Sequence, residues 1–244
     1  MRRVTTLFIS DLHLEAARPE IGEQFLEFLE QEAACAEALY ILGDLFESWI
    51  GDDDPNPHYA EMKRAIRSVA DGGIPVFFMH GNRDFLVGRR FAEETGVELL
   101  PDPCKVNLCG QDVLLSHGDA LCIDDVKYQE VRTVTRNPGW QAMMLKKPLA
   151  ERQAIARQAR ADSMAHGGSL DPQISDINQG AVEQLLKGHG VRTLLHGHTH
   201  RPAVHRFLLD GTPATRIVLG DWYEQGSVVR WDAGGPELSV LERD

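Results

Sequence analysis

Cysteine and long apolar stretches are scarce in this chain of 244 residues. The four cysteines form no C-x-x-C pair, so neither a disulfide framework nor a thiolate zinc site is predicted. No apolar run approaches the roughly 20 residues that a membrane-spanning helix needs. In the segment MRRVTTLFISD, the apolar stretch ends at Asp11 and is too short for a signal peptide. These absences predict a cytosolic protein with no membrane span.

Basic residues are outnumbered by acidic ones, and the net charge is −12. This charge argues against general binding to nucleic acid, so no nucleic-acid partner is expected. Residues 127–160 depart from the average with eight basic and two acidic side chains, a local charge of +6 that predicts a positive surface. The basic positions are Lys127, Arg132, Arg136, Lys146, Lys147, Arg152, Arg157 and Arg160.

Five short apolar runs each end in a cluster of polar residues. They read TTLFIS-DLHL, ALYIL-GDLFE, VFFM-HGNRD, VLLS-HGD and TLL-HGHTH, and helical patterns separate the first three. Alternation of strands and helices predicts an α/β fold. Open α/β sheets bind ligands beyond the carboxyl ends of their strands. We therefore expect the five polar clusters to form one shared site.

Residues 121–190 interrupt this alternation with two amphipathic helical patterns. The prediction is a core of residues 1–120 and 191–244 with an inserted helical cap over residues 121–190. After the cap, the runs TRIVLGDW, GSVVRWD and ELSVLER predict antiparallel strands that complete a second sheet. The acidic run GDDDPNP at 51–57 contains two prolines and is expected to be a solvated loop rather than a calcium site.

The polar clusters supply seven candidate metal ligands with carboxylate, imidazole or amide groups, which suit borderline-to-hard divalent cations. Seven ligands exceed what one catalytic ion takes while keeping a position open, but they suffice for two ions that share Asp44. Asp84 and Asp119 are expected to orient ligand histidines. The seven candidates are Asp11, His13, Asp44, Asn82, His117, His198 and His200.

Three histidines alternate in LLHGHTHRP, so His196, His198 and His200 would share one face of an extended strand. His196 is predicted to stand outside the ligand set, either behind the ligands or in the core.

Two adjacent ions activate water and hold a phosphoryl group for in-line attack, which predicts phosphoester or phosphoanhydride hydrolysis.

The ordered motifs D-x-H, G-D, G-N-R-D, H-G-D and G-H-x-H resemble those of the calcineurin-like metallophosphoesterases. The resemblance implies a four-layer sandwich, in which two mixed β-sheets are flanked by helices. It also implies two ions. One would be held by Asp11, His13, Asp44 and His200, and the other by Asp44, Asn82, His117 and His198.

The residue at position 83 indicates which kind of phosphate bond is cleaved. Many relatives carry a histidine there that can protonate an alkoxide leaving group, whereas Arg83 does not give up its proton. A phosphate leaving group, with a second pKa of about 6, needs no such acid. Arg83 is therefore predicted to join the seven ligands as a catalytic residue that stabilises negative charge during pyrophosphate cleavage.

Longer segments, among them ALYILGDLFESWIGDDDP and HGHTHRPA, resemble the enzymes that hydrolyse UDP-2,3-diacylglucosamine to UMP and 2,3-diacylglucosamine 1-phosphate in lipid A biosynthesis. This narrower resemblance implies two Mn²⁺ ions and a peripheral protein at the cytoplasmic face of the inner membrane. The chain departs from that family at Gly167 and Leu170, where Asn and Lys are usual. The implied substrate contacts are Asn82, Arg83, Asp125, Ser163, Gly167, Leu170 and His198.

Several features of the sequence suit more than one function. The basic cap suits an anionic membrane surface, but a solvated helix packed on the core has the same composition. A different dinuclear phosphodiesterase or phosphatase, a nuclease and a scaffold without catalysis are rival functions. A monomer is expected.

Overall fold

The computed structural model describes residues 5–167 and 176–243, with the backbone alone at residues 164–167. The strands are β1 (Thr6–Ile9), β2 (Ala38–Ile41), β3 (Val76–Met79), β4 (Glu98–Leu100), β5 (Cys104–Leu108), β6 (Gln111–Ser116), β7 (Thr193–His196), β8 (Ala203–Leu209), β9 (Thr212–Val218), β10 (Gly226–Asp232) and β11 (Gly235–Leu241). The α-helices are α1 (Pro19–Gln31), α2 (Pro57–Asp71), α3 (Arg89–Thr95), α4 (Val126–Thr135), α5 (Pro138–Leu145), α6 (Leu149–Gly167) and α7 (Gln179–His189).

The strands form two mixed sheets. The first has the order β11-β10-β1-β2-β3-β4, with β1 to β4 parallel, and the second has the order β5-β6-β7-β9-β8. The prediction that the last three strands complete the second sheet is wrong for two of them. Strand β10 pairs antiparallel with β1, and β11 pairs antiparallel with β10, so both strands belong to the first sheet. Its Val228 faces the helices and its Val229 faces the second sheet, as suits a strand covered on both faces.

Alternation along the strands creates the four predicted layers. In β1, Leu7 and Ile9 pack with helices α1 to α3, whereas Phe8 packs between the two sheets. On the far side of the second sheet, Leu114 and Leu194 pack against helix α7. The α/β sandwich of two mixed sheets flanked by helices is confirmed.

The acidic run at residues 51–57 is a loop up to Asn56, as predicted, but two of its carboxylates contact other parts of the chain. Asp52 accepts hydrogen bonds from the backbone N–H groups of Gly88 and Phe91, both at 3.0 Å, and thereby caps helix α3. Asp53 pairs with Arg152 of helix α6. The composition suggested solvation, but donors from distant parts of the chain reach both carboxylates.

Half of the basic side chains in residues 127–160 face the core rather than solvent. The Nε atom of Arg132 and the Nη2 atom of Arg136 lie 2.9 and 3.2 Å from Asp119 Oδ2. Arg152, only 2% exposed, also donates to the carbonyl oxygen of Ile50. Arg160 pairs with Glu47. These ion pairs attach helices α4 and α6 to the core and reduce the positive charge that the sequence placed on the surface.

Candidate metal centre

The candidate ligands sit on tight loops that follow the strands. Asp11, His13, Asp44, His198 and His200 all have positive φ angles, between 52° and 70°. This left-handed conformation is uncommon for residues other than glycine and is stored where the surrounding structure holds it, often at functional sites. Strand β7 ends at His196, so the two following histidines are aimed by loop geometry. The expectation that all three share one strand face was wrong.

Glycine permits the close approach of two of these loops. A Cβ atom at position 81 would lie 2.1 Å from Asp44 Oδ1 and 2.3 Å from the Asp44 backbone nitrogen. Neither distance is sterically allowed, so the loop carrying Asn82 reaches Asp44 only because residue 81 has no side chain.

One group of ligand atoms gathers around His13 and His200. Their Nε2 atoms lie 3.2 Å apart, and His200 Nε2 lies 3.4 Å from Asp11 Oδ1. Asp44 Oδ2 is 3.9 Å from His13 Nε2. Asp11 Oδ1 is buried and accepts no well-aligned hydrogen bond from any described residue. Convergence of imidazole nitrogens on a buried carboxylate oxygen fits a divalent cation.

A second group gathers around Asn82 Oδ1. This atom lies 3.0 Å from His117 Nε2 and 2.8 Å from His198 Nδ1. Asp44 Oδ1 is 3.7 Å from His117 Nε2, so Asp44 offers one oxygen to each group. The donor set fits a divalent metal site with Asp44 between two positions, while the assignment of individual ligands stays a prediction.

The carboxylates and histidines of the cluster shift one another's protonation. Burial by itself would raise the pKa of Asp11, but contact with His200 and the charges of His117 and His13 hold it well below its usual range. Burial opposes protonation of His200, yet its contacts with Asp11 and Asp221 raise its pKa to about 10. The cluster therefore attracts positive charge, which a metal cation supplies once the ligand nitrogens lose their protons.

Backbone and acidic groups behind the ligands orient three of the histidine rings. His13 Nδ1 lies 3.0 Å from Glu47 Oε2, and His200 Nδ1 lies 3.2 Å from Asp221 Oδ2. His117 Nδ1 donates to the carbonyl oxygen of Leu42 at 2.8 Å. Such partners select the tautomer that leaves the other ring nitrogen free for a metal.

Sequence reasoning missed Glu47 and Asp221, and it assigned this role to the wrong carboxylates. Asp84 accepts from the backbone N–H groups of Gly81 and Leu45, both at 2.8 Å, so it joins two loops. Asp119 accepts from Tyr128 and from arginines of helix α4 and its C-terminal end. The available signals were the glutamate that ends GDLFE and the aspartate of LGDW after β9.

His196 lies in the core and takes no part in the cluster of ligand atoms. It is fully buried, and its Nδ1 atom is 2.8 Å from the carbonyl oxygen of Gly197. Burial lowers its pKa to about 3, so the ring is neutral. Of the two alternatives for His196, the structure supports a core residue.

A cavity of about 1120 Å³ opens beside the ligand cluster, between the core and helices α4 to α6. This exceeds the roughly 300–1,000 Å³ of an ordinary small-molecule pocket. Arg83 lines it, and its Nε atom is buried without a hydrogen-bond partner among the described residues. The apolar lining comes from both sides of the cavity: Trp49, Ile50, Phe85, Val131, Val134, Trp140, Met144 and Ile155.

The predicted substrate contacts are placed unevenly. Asn82, Arg83 and Ser163 line the cavity, and His198 contacts Asn82 at its edge. Asp125 lies outside the lining, where its side chain caps helix α4 by accepting from the Tyr128 backbone N–H. Leu170 and the surroundings of Gly167 lie outside the described residues.

Comparison with known proteins gives matches over nearly the whole chain. Residues 4–202 match the family model described as calcineurin-like phosphoesterase. A protein of Stenotrophomonas maltophilia (strain K279a) named UDP-2,3-diacylglucosamine hydrolase is 51% identical over 99% of this chain and 100% of its own length. A protein of the same name from Xanthomonas axonopodis pv. citri (strain 306) is 52% identical over 98% of this chain and 99% of its own length.

Proposed function

The chain belongs to the calcineurin-like phosphoesterase family, and we infer from its relatives and its site that it is a metal-dependent UDP-2,3-diacylglucosamine hydrolase of lipid A synthesis. The main support for this inference is the position of the ligand cluster beside the cavity. The ligand cluster around Asp44 borders a large cavity with apolar walls, and Arg83 stands at the boundary. Such a site suits a phosphorylated molecule that also bears acyl chains.

The metal site is proposed to hold two Mn²⁺ ions. Asp11, His13, Asp44 and His200 would hold one, and Asp44, Asn82, His117 and His198 the other. Two such ions would polarise phosphoryl oxygens and would lower the pKa of water toward neutrality. The separation of the two Asp44 oxygens between the two groups supports a shared ligand.

Residues of the chain orient the diphosphate for attack by water on the α-phosphorus. Arg83 lines the cavity, and its buried Nε atom has no hydrogen-bond partner among the described residues, so its guanidinium group is available to stabilise negative charge on the diphosphate. The P–O bond to the sugar phosphate then breaks, and water oxygen enters UMP. The products are UMP and 2,3-diacylglucosamine 1-phosphate, a phosphate weak enough as a base to leave without a proton donor.

The acyl chains are proposed to lie in the space under α4 to α6, which supports an inserted cap within residues 121–190 on a core of residues 1–120 and 191–244. Helix α7, although inside the predicted cap range, packs on the second sheet with the core. Trp140, Met144 and Ile155 of the cap face Trp49 and Phe85 of the core across this space. Apolar burial of acyl chains there is favourable at about 25 cal/mol per Å².

Hydrolysis in oxygen-18 water tests the reaction. With Mn²⁺ and UDP-2,3-diacylglucosamine, we expect one labelled oxygen in UMP and none in the sugar phosphate, because water is proposed to attack the α-phosphorus. Mass spectrometry of both products measures the label. Reactions without Mn²⁺ serve as the control and should show background turnover.

Two results would contradict this proposal. Label in the sugar phosphate would place the attack on the other phosphorus. Faster turnover of simple phosphomonoesters or nitrophenyl diesters than of the acylated UDP-sugar would favour another phosphodiesterase or phosphatase of the family.

The cap is also proposed to bring the protein, as a monomer, to the cytoplasmic face of the inner membrane. Among the described residues no helix has the length and apolar character to cross a bilayer. Val126 and Met143 are apolar yet 63% and 54% exposed, and they share the cap with basic side chains such as Lys127 and Lys146. An apolar and basic surface suits shallow contact with anionic lipid.

Sedimentation with vesicles tests this surface. Vesicles rich in phosphatidylglycerol should retain the protein at low salt, whereas phosphatidylcholine vesicles should retain less. The double substitution Val126→Glu and Met143→Glu should reduce retention several-fold, since it adds repulsion and removes apolar contact. Equal retention by both vesicle types, or by the variant, would contradict the proposed membrane surface.

A further inference from the structure

Helix α6 is attached to the core by two ion pairs about two helical turns apart. Near its N-terminus, Arg152 pairs with Asp53 and donates to Ile50. Further along, Arg160 Nη2 lies 2.6 Å from Glu47 Oε1. Both acidic partners belong to the segment that follows β2 and carries Asp44. The two attachments differ in one respect, because only the second reaches a candidate metal ligand.

Glu47 stands between Arg160 and His13. Its side chain is 9% exposed, and its backbone N–H donates to the Leu14 carbonyl oxygen at 3.1 Å. Oε2 lies 3.0 Å from His13 Nδ1, while Oε1 faces Arg160. Both contacts are short but bent, so the carboxylate attracts these N–H groups electrostatically without forming well-aligned hydrogen bonds. A buried carboxylate held between two such groups has little freedom to turn.

This arrangement acts on the orientation of the His13 ring. A proton on Nδ1, facing the carboxylate, leaves Nε2 with its lone pair toward His200 and Asp44. Tyr223 stacks on the ring of His13 at 5.3 Å with an interplanar angle of 17°, and its hydroxyl interacts with Arg160. Arg160 of the cap therefore touches both groups that hold His13.

We propose that Glu47 is a positioning residue that couples helix α6 of the cap to the His13 side of the metal site. It keeps the His13 ring in its ligating tautomer, and Arg160 keeps the Glu47 carboxylate in place. Withdrawal of helix α6 from the core thereby loosens a metal ligand. The proposal rests on the proposed function for the presence of a metal and of substrate under the cap.

The test compares Mn²⁺ affinity of the purified full chain, three single variants and one double variant, measured by electron paramagnetic resonance titration without substrate. Glu47→Gln should weaken binding roughly ten- to a hundredfold, as is usual when a partner of a ligating histidine is lost. Arg160→Met should weaken binding less, because Glu47 remains. Asp53→Asn is the matched control: it weakens the other ion pair of α6 and should leave Mn²⁺ affinity within about twofold of the wild type.

The double variant of Glu47→Gln and Arg160→Met should bind Mn²⁺ as the Glu47→Gln variant does, since both act through one contact. Wild-type affinity in Glu47→Gln, or an equal loss in Asp53→Asn, would overturn the proposal. Thermal unfolding of each metal-free variant separates loss of fold from loss of affinity. If Glu47→Gln does not fold, the comparison of Arg160→Met with Asp53→Asn tests the proposal, and equal Mn²⁺ affinity in these two variants would overturn it. The titration contains no substrate, so an inactive wild type would overturn the proposed reaction alone.

Discussion

Replacing Asp44 with asparagine is expected to lower turnover of UDP-2,3-diacylglucosamine roughly a thousandfold, a loss of about 4 kcal/mol in transition-state stabilisation. Asp44 places one oxygen toward His13 and the other toward His117, so a neutral amide weakens both groups of ligands at once. Initial rates at saturating Mn²⁺ measure the effect, and metal analysis should show fewer bound ions.

Asparagine is chosen because the fold should tolerate it. Asp44 has a φ of 52°, and asparagine adopts this left-handed conformation more readily than other residues except glycine. In the wild type, Asp44 Oδ1 accepts a hydrogen bond from the Arg83 backbone N–H at 2.8 Å, and the side-chain oxygen of asparagine can still accept it. Asp71→Asn, an equivalent change at an exposed position, is the control and should keep wild-type rates. Turnover of Asp44→Asn within tenfold of the wild type would refute the shared-ligand arrangement.

Replacing Arg83 with methionine is expected to reduce kcat/KM for the same substrate about a hundredfold while Mn²⁺ affinity stays unchanged. Methionine keeps an apolar stem of similar length but removes the charge that the cavity presents to the diphosphate. Arg83→Lys should recover part of the loss, because an ammonium group carries the charge without the planar fork of donors. Steady-state kinetics together with Mn²⁺ titration separate these effects.

The control for Arg83 is Arg89→Met, which removes an arginine that is 91% exposed and pairs with Glu93 along helix α3. It should leave kinetics unchanged. A loss of Mn²⁺ affinity in Arg83→Met equal to its loss of kcat/KM would show that Arg83 acts by supporting the metal site. A loss below threefold would show that the guanidinium group does not assist the reaction.

The sequence alone was sufficient for the fold class and for candidate ligands whose side chains the structure brings together, but not for Glu47 and Asp221 behind them. Apolar runs that end in polar clusters predicted buried strands with functional loops at one edge, because period and chain order are local properties. Asp11, Asp44 and His117 follow three separate strands, yet their ligand atoms lie within 4.8 Å of one another. The partner of β10 was not predictable, since its apolar pattern suits either sheet.

The tertiary structure decided which charged side chains form ion pairs. The basic run of the cap suggested a membrane-facing surface, but Arg132, Arg152 and Arg160 turn inward to core carboxylates. Nothing in the local pattern of residues 127–160 distinguishes an inward from an outward arginine. Likewise, Glu47 lies beside His13 only because two loops pair, as the Leu14–Phe46 bridge records. Ligand types and their order are written in short motifs, whereas contacts between distant side chains exist only after the layers have packed.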